Sequence, residues 1–160
     1  MTPARFHELI RELGETTGIP FDVDRNHVCR ILFEDTLTVQ LEPSSREDTL
    51  FIGALLSPLP PGKFREKVLH AALQVNGDET VHAPIGTLAY IERNNLLALQ
   101  AYLPEEGLTG ERVARFLEEF VTEAESWCKA IANSEPAPAH HLTKRNTRLP
   151  PPGGLHPGRA

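Results

Sequence analysis

The chain has 160 residues, of which 40% are hydrophobic and 24% charged, a composition that suits one compact domain and excludes a wholly disordered chain. Residues 1–133 hold 12 basic and 21 acidic residues, so this part carries a net charge of −9 within an overall −6. Such an acidic body repels phosphate, which argues against nucleic acid as a partner.

Neither a secretory signal nor a membrane span is visible in the sequence. The N-terminus has no apolar core segment, and the longest apolar run, residues 50–56, is far shorter than the roughly 18 residues that span a bilayer. Cys29 and Cys128 form no disulfide framework or metal-ligand spacing, which suits a reducing compartment. We therefore expect a cytoplasmic protein without membrane insertion.

The first predicted element is a helix that begins at Pro3 after the N-cap Thr2 and ends at Gly14 or Gly18. From residue 27 apolar residues recur at every second position, which predicts two strands joined by a turn at Glu34-Asp35. Residues 42–48 predict a loop. Residues 49–57 are nearly all apolar, which predicts a strand either covered on both faces or exposing an apolar side.

The second half of the chain repeats this alternation of helix and strand. A helix is predicted over residues 63–76, then two strands over 86–92 and 96–103, then a long helix capped by Thr109. The order α-β-β-β-α-β-β-α predicts an α+β fold with a mainly antiparallel five-stranded sheet and three helices.

Residues 134–160 differ in composition, with six prolines, three glycines and no periodic apolar pattern. We expect a domain over 1–133 followed by a disordered, mildly basic tail. The tail histidines His140, His141 and His156 have no expected rigid geometry and no expected carboxylate nearby, so we predict no metal site and no cofactor.

Catalytic chemistry has little support in the sequence. The motifs of nucleotide-binding loops, serine hydrolases and zinc peptidases are missing, and Cys29 near His27 is typical of a small buried side chain rather than a nucleophile. The clustered carboxylates are expected to be solvated: Glu105, Glu106, Glu118, Glu119, Glu123 and Glu125. We predict that the protein is not an enzyme.

The informative feature is a surplus of apolar faces. One sheet offers its helices a single face, and the other face needs a second chain to cover it unless the helices cover everything. This pattern predicts a protein that dimerises and keeps grooves for an extended apolar segment of a partner.

Several segments carry a resemblance to a known family. They are Phe6-x-x-Leu9-Ile10-x-x-Leu13-Gly14, Phe33-Glu-Asp-Thr-Leu-Thr-Val-Gln40, and Gly86-Thr-Leu-Ala-Tyr-Ile91 with Leu96-Leu-Ala-Leu99 after Val75-Asn76-Gly77. With the order of elements, they make residues 3–132 resemble the type III secretion chaperones of the CesT/SycE kind. The resemblance implies an acidic cytoplasmic homodimer that binds the N-terminal region of secreted effectors without cofactor or ATP, and it leaves open a contact with the secretion ATPase.

The resemblance also implies two sets of site residues. The partner-binding set comes from the first helix and the sheet: Phe6, Leu9, Ile10, Leu13, Leu37, Val39, Leu41 and Ile52. The dimer seam comes from the second helix and the strands after it: Val68, Ala72, Val75, Leu88, Tyr90, Leu97 and Leu99.

Two other hypotheses belong to different classes. One is a small-ligand-binding or sensory domain with a similar fold, which predicts an apolar cavity with converging polar groups. The other is a dimerisation module whose functional part is the tail.

Overall fold

The computed structural model describes residues 1–44, 48–78 and 85–143. The helices and strands, in chain order, are α1 Pro3–Thr17, β1 Cys29–Phe33, β2 Leu37–Pro43, β3 Thr49–Pro58, α2 Lys63–Asn76, β4 Thr87–Ile91, β5 Leu96–Pro104, α3 Gly110–Ala132 and α4 Ala139–Thr143. A short 3₁₀ turn, Glu92–Asn94, joins β4 to β5. The predicted fold is confirmed, and α4 is an addition that the sequence pattern did not predict. The loop predicted over 42–48 lies partly outside the described residues, as does most of the link between α2 and β4.

The strands form one antiparallel sheet in the order β1-β2-β3-β5-β4. Its first hairpin turns at Glu34 and Asp35, which both adopt positive φ, and the second hairpin uses Asn95 in the same left-handed region. Short polar side chains tolerate this conformation best, which is why the turns could be located from the sequence. A bulge between Leu55 and Ser57 shifts the register of β3 against β5.

The two long helices cross at Gly110, the first residue of α3. A Cβ at this position would lie 2.4 Å from the carbonyl carbon of Glu12, so the helices approach at a distance that only glycine allows. The Glu12 carboxylate accepts hydrogen bonds from the Gly110 backbone at 2.9 Å and from the Arg5 guanidinium at 2.8 Å. Arg5 also donates to the Leu108 carbonyl at 2.6 Å, so the crossing is fastened by polar contacts around a glycine.

The core lies between the helices and one face of the sheet. The largest side chains that are completely or almost completely buried come from α1, α3, the central strands and, for Leu59, the loop after β3: Phe6, Leu9, Leu13, Val39, Leu41, Leu50, Ile52, Leu59, Leu97, Leu99, Phe120 and Trp127. Cys29 belongs to the same core, and burial raises the pKa of its thiol to about 11. His27 lies instead against His7, with their ring nitrogens 3.1 Å apart, so the structural interpretation of Cys29 agrees with its environment.

The chain after α3 folds back onto the domain. The backbone N–H of Glu135 bonds to the Ala130 carbonyl at 2.8 Å, Ala137 is 1% exposed within the core, and α4 follows. The prediction of a disordered tail from residue 134 is therefore wrong over residues 134–143, because buried contacts with α3 order this segment. Residues 144–160 lie outside the described part. None of the described helices has the length and apolarity needed to cross a membrane.

Replacing Gly110 with Ala should destabilise the domain by about 1–3 kcal/mol, because the added Cβ forces two packed helices apart. Gly77→Ala is the matched control, since a Cβ there would meet its nearest neighbour, the Leu73 carbonyl oxygen, at 3.4 Å. Urea unfolding followed by circular dichroism measures both variants. Equal midpoints for Gly110→Ala and the unmodified protein would contradict the close crossing.

Candidate partner-binding surfaces

Within the described residues, one face of the sheet is covered and the other is uncovered. Buried residues alternate along β1, β2 and the first part of β3, and they join a single core with Leu97, Leu99 and Ala101 of β5 and with buried side chains of α1, α2 and α3. The three long helices therefore share one face. The opposite face presents Arg30, Leu32, Thr38, Gln40, Phe51, Gly53, Leu55, Gln100 and Tyr102.

An apolar patch occupies the middle of the uncovered face. Leu55 is 55% exposed and Tyr102 is 50% exposed, and the Phe51 and Tyr102 rings contact each other at a tilt of 57° with a centroid distance of 5.3 Å. Gly53 makes room for the Phe51 ring, which would lie 2.7 Å from a Cβ at that position. Leu32, 57% exposed on β1, adds a further apolar side chain to this face. We call Leu32, Phe51, Leu55 and Tyr102 the open-face patch.

The eight residues of the predicted partner-binding set occupy a different place. All of them lie in the hydrophobic core and none is more than 3% exposed: Phe6, Leu9, Ile10, Leu13, Leu37, Val39, Leu41 and Ile52. The apolar face of α1 is packed on the covered face of the sheet, so these side chains hold the fold together and do not form an open surface. That they contact a partner stays a prediction, and it requires α1 to move.

A shallow groove runs beside α1. Ile10 lines it from the helix, and Phe21 and Val23 line it from the segment that leads to β1. Ile10 is the member of the predicted set that lines this groove.

The predicted dimer seam is assembled around α2 and β4. The Asn76 side chain accepts from the Leu88 backbone N–H at 2.9 Å and donates to the Leu88 carbonyl at 2.8 Å. Arg65 donates to the Tyr90 hydroxyl at 2.9 Å and to the Asn95 side chain at 3.0 Å. Because β4 is an edge strand, Asn76 satisfies outward-facing backbone groups that would otherwise be open to another strand.

Of the seven predicted seam residues, five are buried within the protomer and two are half-buried. The buried ones are Val68, Ala72, Leu88, Leu97 and Leu99, and the half-buried ones are Val75 and Tyr90. The large apolar residue of α2 that is exposed is Leu73, at 71%, and it is not one of the predicted seam residues. The structure thus brings the predicted elements together, but their accessible apolar side chain is Leu73.

The open-face patch was also missed, although a signal for it exists. Leu32 and Leu55 alternate with the core residues of their strands, so each stands at a position where a half-buried strand normally carries a polar residue. Apolar residues at the outward positions of several strands in one sheet indicate an uncovered apolar face.

A group of ionisable side chains lies at the end of the fold where α4 meets α3. The Glu123 carboxylate is within 2.6 Å of the His141 ring and 3.1 Å of the His140 ring, and it accepts from the Trp127 indole at 2.8 Å. Burial raises the pKa of Glu123, but the contacts with His141, Trp127 and His140 outweigh it and hold the pKa below its usual value. The predictions that Glu123 is solvated and that no carboxylate lies near the tail histidines are therefore wrong.

Comparison with known proteins gives a consistent result. The profile of the Tir chaperone protein (CesT) family matches residues 8–128. A chain of the HopA1–SchA chaperone–effector complex superposes with a TM-score of 0.64 at 17% identity, over 80% of this chain and 96% of that one. A search of curated proteins finds no significant match.

Two further solved structures share the fold. A chain of the ExsC–ExsE complex gives a TM-score of 0.60 at 19% identity, covering 79% of this chain and 93% of its own. The second is a chain of the complex between the Yersinia pestis type III secretion chaperone SycH and a stable fragment of YscM2. It gives a TM-score of 0.55 at 15% identity, covering 74% of this chain and 96% of its own.

Proposed function

Because this chain belongs to the Tir chaperone protein (CesT) family, we propose that it is a type III secretion chaperone that binds one or more effector proteins in the cytoplasm. The bound effector is kept soluble and competent for export. The mechanism is burial of an extended N-terminal segment of the effector, with no catalytic step, cofactor or ATP.

The match of the family profile to residues 8–128 is the observation that carries this proposal. The solved structures with this fold include a chaperone–effector complex, which supports a binding role for the fold. The uncovered sheet face supports it from the physical side, since an exposed apolar patch on a small acidic protein is typical of an interaction surface.

The proposed binding site is the open-face patch. Leu32, Phe51, Leu55 and Tyr102 can each cover apolar side chains of an extended segment, and burial of one large apolar side chain contributes about 1.5–3 kcal/mol. Few such contacts are needed for binding, because a homodimer presents each patch twice and one effector then gains several anchor points.

The proposed dimer seam is the outer surface of α2 together with β4. Leu73 is the largest exposed apolar side chain of α2, and a twofold contact would place two copies of this surface against each other. Ala72 and Val68, in contrast, are already buried inside the protomer, so the proposal assigns the contact with a second chain to Leu73 rather than to them.

The function is tested by affinity purification of the tagged full chain from its native cells under conditions that switch on secretion, followed by native mass spectrometry. We expect a mass of two copies of this chain plus one larger protein, with the proteolytically protected fragment near the N-terminus of that protein. A monomer with a bound small molecule would contradict the chaperone proposal and favour the small-ligand hypothesis.

Charges placed in the open-face patch should weaken effector binding. Leu55→Glu and Tyr102→Glu should each raise the Kd for the co-purified effector fragment by about tenfold or more, with little loss of stability because both side chains are half exposed. Isothermal titration calorimetry measures the Kd. Thr122→Glu, on the exposed side of α3, is the control for added charge, and it should bind normally.

A result in which both patch variants bind as tightly as the unmodified protein would exclude the open-face patch. The groove beside Ile10 would then be the next surface to vary.

Leu73→Glu should convert the dimer to a monomer, because it places two carboxylates in an apolar contact. Light scattering after size-exclusion chromatography measures the mass. Thr122→Glu, which adds the same charge on the exposed side of α3 and outside the proposed seam, is the control and should remain dimeric. A Leu73→Glu protein that remains dimeric would place the seam elsewhere.

A further inference from the structure

The junction of α3 and α4 holds a three-residue group that has no part in the proposed chaperone function. Glu123, His140 and His141 each offer one ligand atom, and these atoms all lie within 4.8 Å of one another. Glu123 comes from the middle of α3, whereas the histidines are neighbours in α4, so the group joins two elements.

The residue types fit a divalent transition-metal ion. Zn²⁺ binds imidazole nitrogen and carboxylate oxygen at about 2.0–2.2 Å, and two histidines with one carboxylate are a common protein set for such ions. Ligand atoms at these distances around a tetrahedral ion lie roughly 3.3 Å apart. His140 Nε2 lies 3.1 Å from Glu123 Oε2, already close to this value, and His141 Nε2 lies 2.6 Å from the other oxygen, Oε1. Each ring therefore faces one oxygen of the carboxylate, and an ion bound between them requires a small outward shift of the His141 ring.

The group is held in place by its surroundings. Trp127 is completely buried and donates its indole N–H to Glu123 Oε1 at 2.8 Å, which fixes the carboxylate rotamer from the core side. Ala137, 1% exposed, anchors the turn that brings α4 back to α3. The Glu123 and His141 side chains are only 16% and 12% exposed, so two of the three ligands are preorganised.

One side of the group faces solvent. The His140 side chain is 53% exposed and its ring lies 4.1 Å from the His141 ring. A metal ion can enter from this side, and water can complete its coordination.

The geometry points to a Zn²⁺-type site formed by Glu123, His140 and His141, which fastens the segment after α3 to the body of the domain. Metal binding to such a site joins two parts of the chain and adds its binding free energy to the stability of the fold. The site lies away from the open-face patch and does not depend on the proposed function.

The test uses the full chain, stripped of metal with a chelator, dialysed and titrated with ZnCl₂ in a calorimeter. We expect one Zn²⁺ per chain. Glu123→Gln, His140→Ala and His141→Ala should each weaken the binding by at least about tenfold, since each removes one of three ligands. Co²⁺ in place of Zn²⁺ should give visible absorption bands of a nitrogen- and oxygen-ligated ion in the unmodified protein, and these should be lost in the variants.

Two controls separate the site from other histidines. His70→Ala removes an exposed histidine on α2 and should leave the affinity unchanged. His27→Ala removes one member of the His7–His27 pair and should also leave it unchanged. His140→Ala keeps the test valid if the other variants unfold, because His140 is half exposed and contributes little to packing.

Three outcomes would overturn the inference. They are an absence of saturable Zn²⁺ binding, an affinity that survives His140→Ala, and a loss of affinity in His27→Ala that matches the loss in His140→Ala. In the first case the three side chains join α3 to α4 through hydrogen bonds alone, without a metal ion.

Discussion

The close crossing of α1 and α3 at Gly110 is the contact from which the rest of the structure follows. It lets both helices lie side by side on one face of the sheet, where their apolar stripes fill a single core. Glu12 and Arg5 satisfy the polar groups that this approach would otherwise leave without partners. With all three long helices on that face, the other face of the sheet has no cover from the described chain, and its apolar side chains become a surface.

Local signals were enough to predict most of the fold. The N-caps Thr2 and Thr109, the turn at Glu34-Asp35 and the change from helical to strand period each depend on residues close in the sequence, and each agrees with the structure. The fold after residue 133 could not be predicted in this way. Its order depends on a contact between Ala137 and a core assembled from distant residues, which composition does not reveal.

The location of the accessible surface shows the limit of periodicity more clearly. A period of two establishes that Val39 and Leu41 share a face, but an apolar face looks the same in sequence whether a helix of the same chain or a partner covers it. A helix of the same chain covers such a face more favourably than a partner does, because it does not lose the translational and rotational entropy of association. The apolar residues at the opposite positions, Leu32 and Leu55, are therefore the ones that stay exposed.

The two edges of the sheet restrict how another chain can add to it. On β4, the Asn76 amide occupies the outward backbone groups of Leu88, and on β1 a bridge between Val23 and Cys29 occupies the start of the strand. A segment that paired along either edge would have to displace these bonds or pair only with the rest of the edge strand. The uncovered face carries no such cost, because burial there replaces water against Leu55 and Tyr102 and breaks no backbone hydrogen bond. Side-chain burial on the face is thus a stronger basis for recognition in this protein than strand addition at an edge.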